Sequence, residues 1–238
     1  VLAAGAMLAP SWVTVAAIWG PQSWDNPLRG AFYVLLCVGL VAVSVLIGPI
    51  WRVISPVRTL WRLAGTRRGA RRYPTGLGYW PAVLGLFAFV WLELASPDPG
   101  SLGAIKLWIL AYAIAMFAGA AVFGSRWFAR ADPFEVYSMT VSRLAPLRRN
   151  TATGRIVVGN PLDHLPTLPV RPGTVAVMAM LLGSTAFDSF SGFTGFRNFV
   201  DRNAAGVPLV GEAGGGSAIR TVGLLVFVAG CDKDKKGV

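Results

Sequence analysis

Residues 51–73 read WRVISPVRTLWRLAGTRRGARRY, a segment with seven arginines and no acidic residue. A second segment, residues 125–172, contains seven more arginines. Long apolar stretches that are nearly free of basic residues flank both segments. In multi-pass membrane proteins, Lys and Arg concentrate in the short loops on the cytoplasmic side. The spacing of the arginines therefore predicts a helical membrane protein and the direction in which it crosses the bilayer.

The composition also favours a membrane protein. Of the 238 residues, 54% are hydrophobic and only 14% are charged, whereas about 25% are charged in soluble domains. The net charge of +11 would also suit nucleic acid, but the arginines lie beside apolar segments, where anionic lipid head groups are the nearer partner. We therefore expect the lipid bilayer as the main partner, with anionic head groups at the Arg-rich inner loops and no nucleic acid.

Apolar segments of suitable length define the predicted spans, since crossing a bilayer takes about 20 residues. The candidate spans are residues 2–19, 31–51, 78–95, 102–123, 174–190 and 218–230. If both Arg-rich segments and the C-terminal tail lie inside, these spans place both ends of the chain inside as well. The sequence thus predicts an all-α, polytopic transmembrane helix bundle of about six spans, N-in/C-in, in the inner membrane of a bacterium.

The second inner loop, residues 125–171, contains a predicted amphipathic helix. Asp132 is a suitable N-cap, and Pro133 suits the first helical position. Apolar residues then recur at helical spacing, at Phe134, Tyr137, Val141 and Leu144. We expect this helix to lie at the inner interface of the membrane. Residues 154–159 predict a short strand, and the Gly-rich residues 191–217 predict a flexible outer loop without a fold of its own.

Two acidic residues lie within predicted spans, where a charge costs about 2.5–3.5 kcal/mol on insertion scales. Glu93 is near the outer end of the third span, and Asp188 is near the outer end of the fifth. If those helices are neighbours, the two carboxylates can share a proton or bind a cation. Lys106, in the first turn of the fourth span, is an alternative ion-pair partner. Glu93 can also simply extend to the head groups, which would give it no functional role.

The chain shows no recognisable catalytic motif. His164, its single histidine, lies in the inner loop, and one histidine cannot build a His-rich metal site. Motifs for nucleotide phosphates, serine nucleophiles and zinc proteases do not occur in the sequence. Catalytic residues, metal ligands and cofactors therefore stay unassigned.

Three stretches together carry a resemblance to a known family. They are residues 76–93 (GLGYWPAVLGLFAFVWLE), residues 126–147 (RWFARADPFEVYSMTVSRLAPL) and residues 181–188 (LLGSTAFD). Over roughly residues 45–190, the chain resembles actinobacterial integral membrane proteins labelled fenitrothion hydrolase-like. The resemblance implies hydrolysis of an organophosphate triester, which usually uses a water activated by a divalent metal. A divalent metal cofactor is expected only with that activity.

Two other functions remain open on the sequence. One is a transporter coupled to protons or cations through Glu93 and Asp188, and the other is a structural membrane subunit that docks a protein partner through its basic inner loops. Val1 lies within an apolar stretch, so we expect a partial or processed form whose missing segments contribute to the function. Three lysines lie among the last six residues, which indicates a C-terminal tail of different origin from the rest of the chain.

Overall fold

The computed structural model describes residues 27–65, 69–98, 101–149, 156–160, 163, 166–206 and 211–233. The first predicted span, residues 2–19, lies outside these described residues, and so does His164.

Helices dominate the described chain. The first helical segment consists of α1 (Pro27–Gly30), a π-helical stretch (Ala31–Gly39) and α2 (Leu40–Ile47). The short helices that follow are α3 (Trp51–Ile54) and α4 (Pro56–Leu63). The later helices are α5 (Trp80–Leu94), α6 (Leu102–Phe123), α7 (Phe128–Ala131), α8 (Pro133–Val141), α9 (Thr174–Ser191), α10 (Thr194–Asn203) and α11 (Gly211–Lys233).

Four helices in the described part of the chain are long and apolar enough to cross a membrane. They are Thr75–Leu94, Leu102–Arg126, Thr174–Ser191 and Gly214–Cys231, and they correspond to the last four predicted spans. The predicted span at residues 31–51 is instead a shorter apolar helix, Phe32–Ile47. It ends early because Gly48 adopts a positive φ of 115° and is followed by Pro49. The chain is an all-α membrane protein by the length and composition of these helices.

Helices α5 and α9 lie side by side and run in the same direction. The Tyr79 backbone N–H donates a hydrogen bond of 2.8 Å to the Pro172 carbonyl oxygen, which joins the two helices where they begin. Further along, Val177 and Met180 of α9 pack in one core cluster with Val83 and other residues of α5. The two helices therefore pack against each other from their first turns.

Helix α9 also packs against α11 through glycines. A methyl group at Gly183 would lie 2.7 Å from the Cα of Val228, and one at Gly223 would lie 2.7 Å from the Phe187 ring. Small residues that let helix backbones approach closely are the usual device for packing helices in membranes. The glycines thus set the spacing between α9 and α11.

After α6, the chain turns back into the bundle through α7 and α8. Phe128 of α7 packs beside Met116 and Ala120 of α6. Phe134, at the start of α8, lies further back along α6, with its ring centroid 5.8 Å from that of Trp108 and 5.3 Å from that of Phe89. Residues 128–134 therefore fold back along the helix that precedes them.

The helix predicted in the second inner loop is present as α8, but its polar residues are buried. Glu135 and Ser138 are 7% and 0% exposed, whereas a helix lying at an interface keeps its polar face in water. The reason is that α8 packs between α2, α5 and α7. The prediction of a surface-lying helix is thus replaced by a buried one.

Two smaller features complete the fold. The strands β1 (Leu147–Arg149) and β2 (Ile156–Val158) form an antiparallel pair, and β2 falls within the strand predicted at residues 154–159. Residues 191–217, predicted to lack a fold, contain α10 and the first turns of α11. Helix α10 is held by Phe196, whose ring centroid lies 5.0 Å from that of Phe190 in α9.

The close approach of α9 and α11 makes a prediction about one glycine. We expect Gly183→Ala to lower the free energy of unfolding by about 1–3 kcal/mol, because the added methyl group forces the backbones apart. Gly230→Ala is the matched control, since a methyl group there meets nothing within 4 Å. Thermal unfolding in detergent measures both, and equal melting temperatures for the two variants would contradict the packing described.

Candidate functional site

Glu93 lies in the last turn of α5 and faces another helix. Its Oε2 accepts a hydrogen bond of 3.2 Å from the Cys37 Sγ. Cys37 belongs to the π-helical stretch Ala31–Gly39, and π-helical turns occur frequently at functional sites. Glu93 is partly buried in this contact, which a side chain extending freely to the head groups would not be.

Asp188 lies at a similar height to Glu93. Helices α5 and α9 begin side by side at Tyr79 and Gly173 and run in parallel, and the two acids follow at nearly equal distances along them. The charge of Asp188 acts on the Glu93 carboxyl, although less than burial and the Cys37 thiol do. Asp188 is exposed on the surface of the bundle, whereas Glu93 is half-buried. We call Glu93, Cys37 and Asp188 the Glu93 cluster.

Tyr137 of α8 reaches the edge of the Glu93 cluster. Its hydroxyl donates to the Cys37 carbonyl oxygen at 3.5 Å. Burial, together with the neighbouring Cys37 and Glu93, raises the pKa of Tyr137 to about 12. The hydroxyl therefore stays protonated at physiological pH, and it contacts the backbone of the π-helical stretch beside Glu93.

Lys106, the alternative partner for these acids, forms no ion pair with them in the described part of the chain. It is partly exposed on α6. Within the described residues, the ion pairs are those that Glu135 forms with Arg52 and Arg58. The Glu93 cluster is therefore a site of negative charge with a thiol donor and without a bound side-chain cation in the described chain.

A second polar group, missing from the sequence-based site, surrounds Asp132. This carboxyl is completely buried. Its Oδ1 accepts hydrogen bonds from the backbone N–H groups of Phe134 and Glu135, at 3.0 and 3.3 Å, and its Oδ2 accepts one of 2.9 Å from the Trp51 indole. Burial raises the pKa of Asp132 to about 6, while these hydrogen bonds limit the rise. Asp132 is thus a helix cap that also ties α8 to α3.

Glu135, in the first turn of α8, forms a buried ion pair. Its Oε2 lies 2.9 Å from the Arg58 Nη2, and these side chains are 9% and 5% exposed. The mostly exposed Arg52 lies further off, with its Nε 3.9 Å from the other carboxylate oxygen. Burial raises the pKa of Glu135 to about 7, against the opposing effect of Arg58. We call Asp132, Trp51, Glu135 and Arg58 the Asp132 cluster.

The sequence contained a signal for the Asp132 cluster. An N-cap followed three residues later by Glu is the pattern of a capping box, and Asp132 and Glu135 have this spacing. The pattern locates the start of a helix. It does not identify Arg58 or Trp51 as partners, since these residues lie more than 70 positions earlier in the chain.

The described residues contain no group of three or more His, Cys, Asp or Glu side chains arranged to hold a metal ion.

Comparison with known proteins finds no matching family model, no similar curated protein and no similar solved structure. The resemblance described above therefore stays a prediction.

The buried ion pair makes a prediction about stability. We expect Glu135→Ala to lower the free energy of unfolding by about 3–5 kcal/mol, because it leaves the Arg58 guanidinium buried without a counter-charge. Arg52→Ala is the control: it removes an exposed partner of the same carboxylate, and we expect a loss under about 1 kcal/mol. Unfolding in detergent measures both variants, and comparable losses would show that Arg58 and Glu135 are not a buried pair.

The raised pKa values of the Asp132 cluster predict a pH dependence. A carboxyl whose pKa is raised on folding contributes its stability at low pH and loses it as the pH rises through the folded value. For Asp132 this loss falls between its ordinary value of 3.8 and about 6, and for Glu135 between 4.5 and about 7. We therefore expect this cluster to lower the melting temperature as pH rises from about 4 to 7.

Asp132→Asn tests this pH dependence, because the amide still caps α8 but does not titrate. The variant should show a shallower fall in melting temperature over that range than the unsubstituted protein. Asp201→Asn, at an exposed acid of α10, should leave the slope unchanged. A slope that Asp132→Asn does not alter would contradict the assignment.

Proposed function

We propose that this chain is a multi-pass protein of the bacterial inner membrane that couples transport to a proton or cation carried by Glu93 and Asp188. The observation that supports this function best is the placement of Glu93 between helices, hydrogen-bonded to Cys37 at 3.2 Å, with the charge of Asp188 within reach. Ionisable residues in membrane helices are costly, and those of transporters and pumps form ion pathways and proton relays.

The chemistry of two neighbouring carboxylates fits this role. A proton or small cation held between them offsets their mutual repulsion, and its release restores that repulsion. Asp188 is exposed, whereas Glu93 is half-buried. An ion can therefore reach the Asp188 carboxylate from outside the bundle before it contacts the more enclosed carboxylate of Glu93. The Cys37 thiol donates to Glu93 and thereby stabilises the charged carboxylate once the ion has left.

The proposed topology has both ends of the chain inside and the two Arg-rich segments in the cytoplasm, facing anionic head groups. The placement of arginines supports this orientation. It needs two spans before α5, for which the helix at Phe32–Ile47 and the apolar residues 2–19 are the candidates.

Proton and cation flux in proteoliposomes tests the proposal. With a pH-sensitive dye inside and an imposed ion gradient, we expect Asp188→Asn and Glu93→Gln to reduce flux to the level of empty liposomes, because neither amide can carry the ion. Asp201→Asn is the control, since it removes an exposed acid of α10 that is not a member of the Glu93 cluster.

Undiminished flux through folded Asp188→Asn and Glu93→Gln would overturn the proposed coupling. The same preparation examines the two competing functions. Stoichiometric metal together with cleavage of an aryl phosphotriester would favour the hydrolase that the family resemblance implies. Absence of flux and cleavage, with a protein that co-purifies, would favour a structural subunit.

A further inference from the structure

A cleft lined by three arginines lies at the end of the bundle where α5 and α9 begin. Its volume is about 390 Å³, and it is lined by Tyr79, Arg126, Ala129, Arg130 and Arg171. No acidic side chain lines it. The cleft is therefore a concave surface with three positive charges and belongs to neither the Glu93 cluster nor the Asp132 cluster.

The three arginines come from separate parts of the chain. Arg126 ends the 3₁₀ turn Gly124–Arg126 that follows α6, Arg130 lies in α7, and Arg171 precedes α9. They converge because α7 turns back beside α6, and because the Tyr79–Pro172 backbone hydrogen bond brings the start of α9 against α5. The fold itself assembles this cluster of charge.

Aromatic rings hold two of the guanidinium groups in place. The Arg130 guanidinium carbon lies 5.0 Å from the centroid of the Tyr73 ring, and that of Arg171 lies 5.8 Å from the centroid of the Tyr79 ring. Tyr73 is itself fixed by a hydrogen bond of 2.8 Å from its hydroxyl to the Gly78 carbonyl oxygen. Arginines ordered in this way lose less conformational freedom when they bind a ligand.

None of the three arginines forms an ion pair within the described chain. There, the ion pairs are made by Glu135 with Arg52 and Arg58. Arg130 and Arg171 are also only partly exposed. Arg62 of α4, by contrast, is exposed, as is usual for an arginine that faces water or head groups. Positive charges held together on a concave surface favour an anion between them.

We infer that this cleft binds a phosphate group. Guanidinium groups match the oxygens of phosphate in bidentate geometry, which makes arginine the usual residue for phosphate recognition. The N-terminal ends of α5 and α9 at the same place add partial positive charge. The volume falls within the range of small-molecule sites. The phosphate belongs either to the head group of an anionic phospholipid or to a soluble phosphate or phosphate ester.

The experiment uses the purified chain in detergent and two probes at constant ionic strength: inorganic phosphate and dispersed phosphatidic acid. Binding is measured by the rise in melting temperature and, for the lipid, by native mass spectrometry. We expect at least one probe to bind, with an affinity that falls about tenfold or more in Arg130→Gln/Arg171→Gln through loss of two charge-assisted contacts. Diacylglycerol, which lacks the phosphate, should not bind.

Arg62→Gln is the matched control, because it removes one positive charge of the same kind outside the cleft. Arg126→Gln is a milder cleft variant at an exposed position and keeps the test valid if the double variant does not fold. Binding of phosphatidic acid alone supports a lipid head-group site, and binding of inorganic phosphate supports a site for soluble phosphate. The inference is overturned if neither probe binds, or if Arg62→Gln weakens binding as much as Arg126→Gln does.

Discussion

The buried start of α8 is the constraint on which the rest of the bundle depends. In an apolar interior, a polar group without a partner is costly, and a buried charge is more costly still. Asp132 and Glu135 bring two carboxyl groups into that interior, and Trp51 and Arg58 are the side chains that match them. These contacts determine where the chain returns after α6 and hold α3 and α4 against it.

The segment that returns into the bundle after α6 lies between the candidate ion site and the cleft lined by arginines. Phe134 at its start completes an aromatic cluster between α5 and α6, and Tyr137 one turn later touches the π-helical stretch beside Glu93. In the other direction, Arg130 of α7 lines the arginine cleft. One short stretch of chain, neither a span nor a loop, thus lies against the candidate ion site and the candidate phosphate site.

The sequence pattern predicted the features that depend on residues close together in the chain. Length and hydropathy were sufficient for the four span helices, and the side chain of Asp132 was sufficient for the start of α8. The burial of α8 was not predictable in the same way, because Phe134 and Tyr137 have the same helical spacing on a surface and in a core. Helix α10 was missed because the glycines around it suggested a flexible loop, whereas Phe196 secures it through rings on α9.

For the candidate site too, the sequence indicated the unusual residues but not the contacts between distant parts of the chain. Glu93 and Asp188 stood out because charges are rare in apolar segments, but the thiol of Cys37 joins them only through a contact between helices. The three cleft arginines are far apart in sequence and resemble ordinary loop arginines until the chain is folded.

The backbone hydrogen bond between Tyr79 and Pro172 has a mechanical consequence. It joins α5 and α9 at the end where they begin. At the other end α11 links them, because the Trp91 indole of α5 donates a hydrogen bond of 2.9 Å to the Thr221 hydroxyl and Gly223 packs against Phe187 of α9. The separation of Glu93 and Asp188 therefore cannot change without straining the contacts of a third helix.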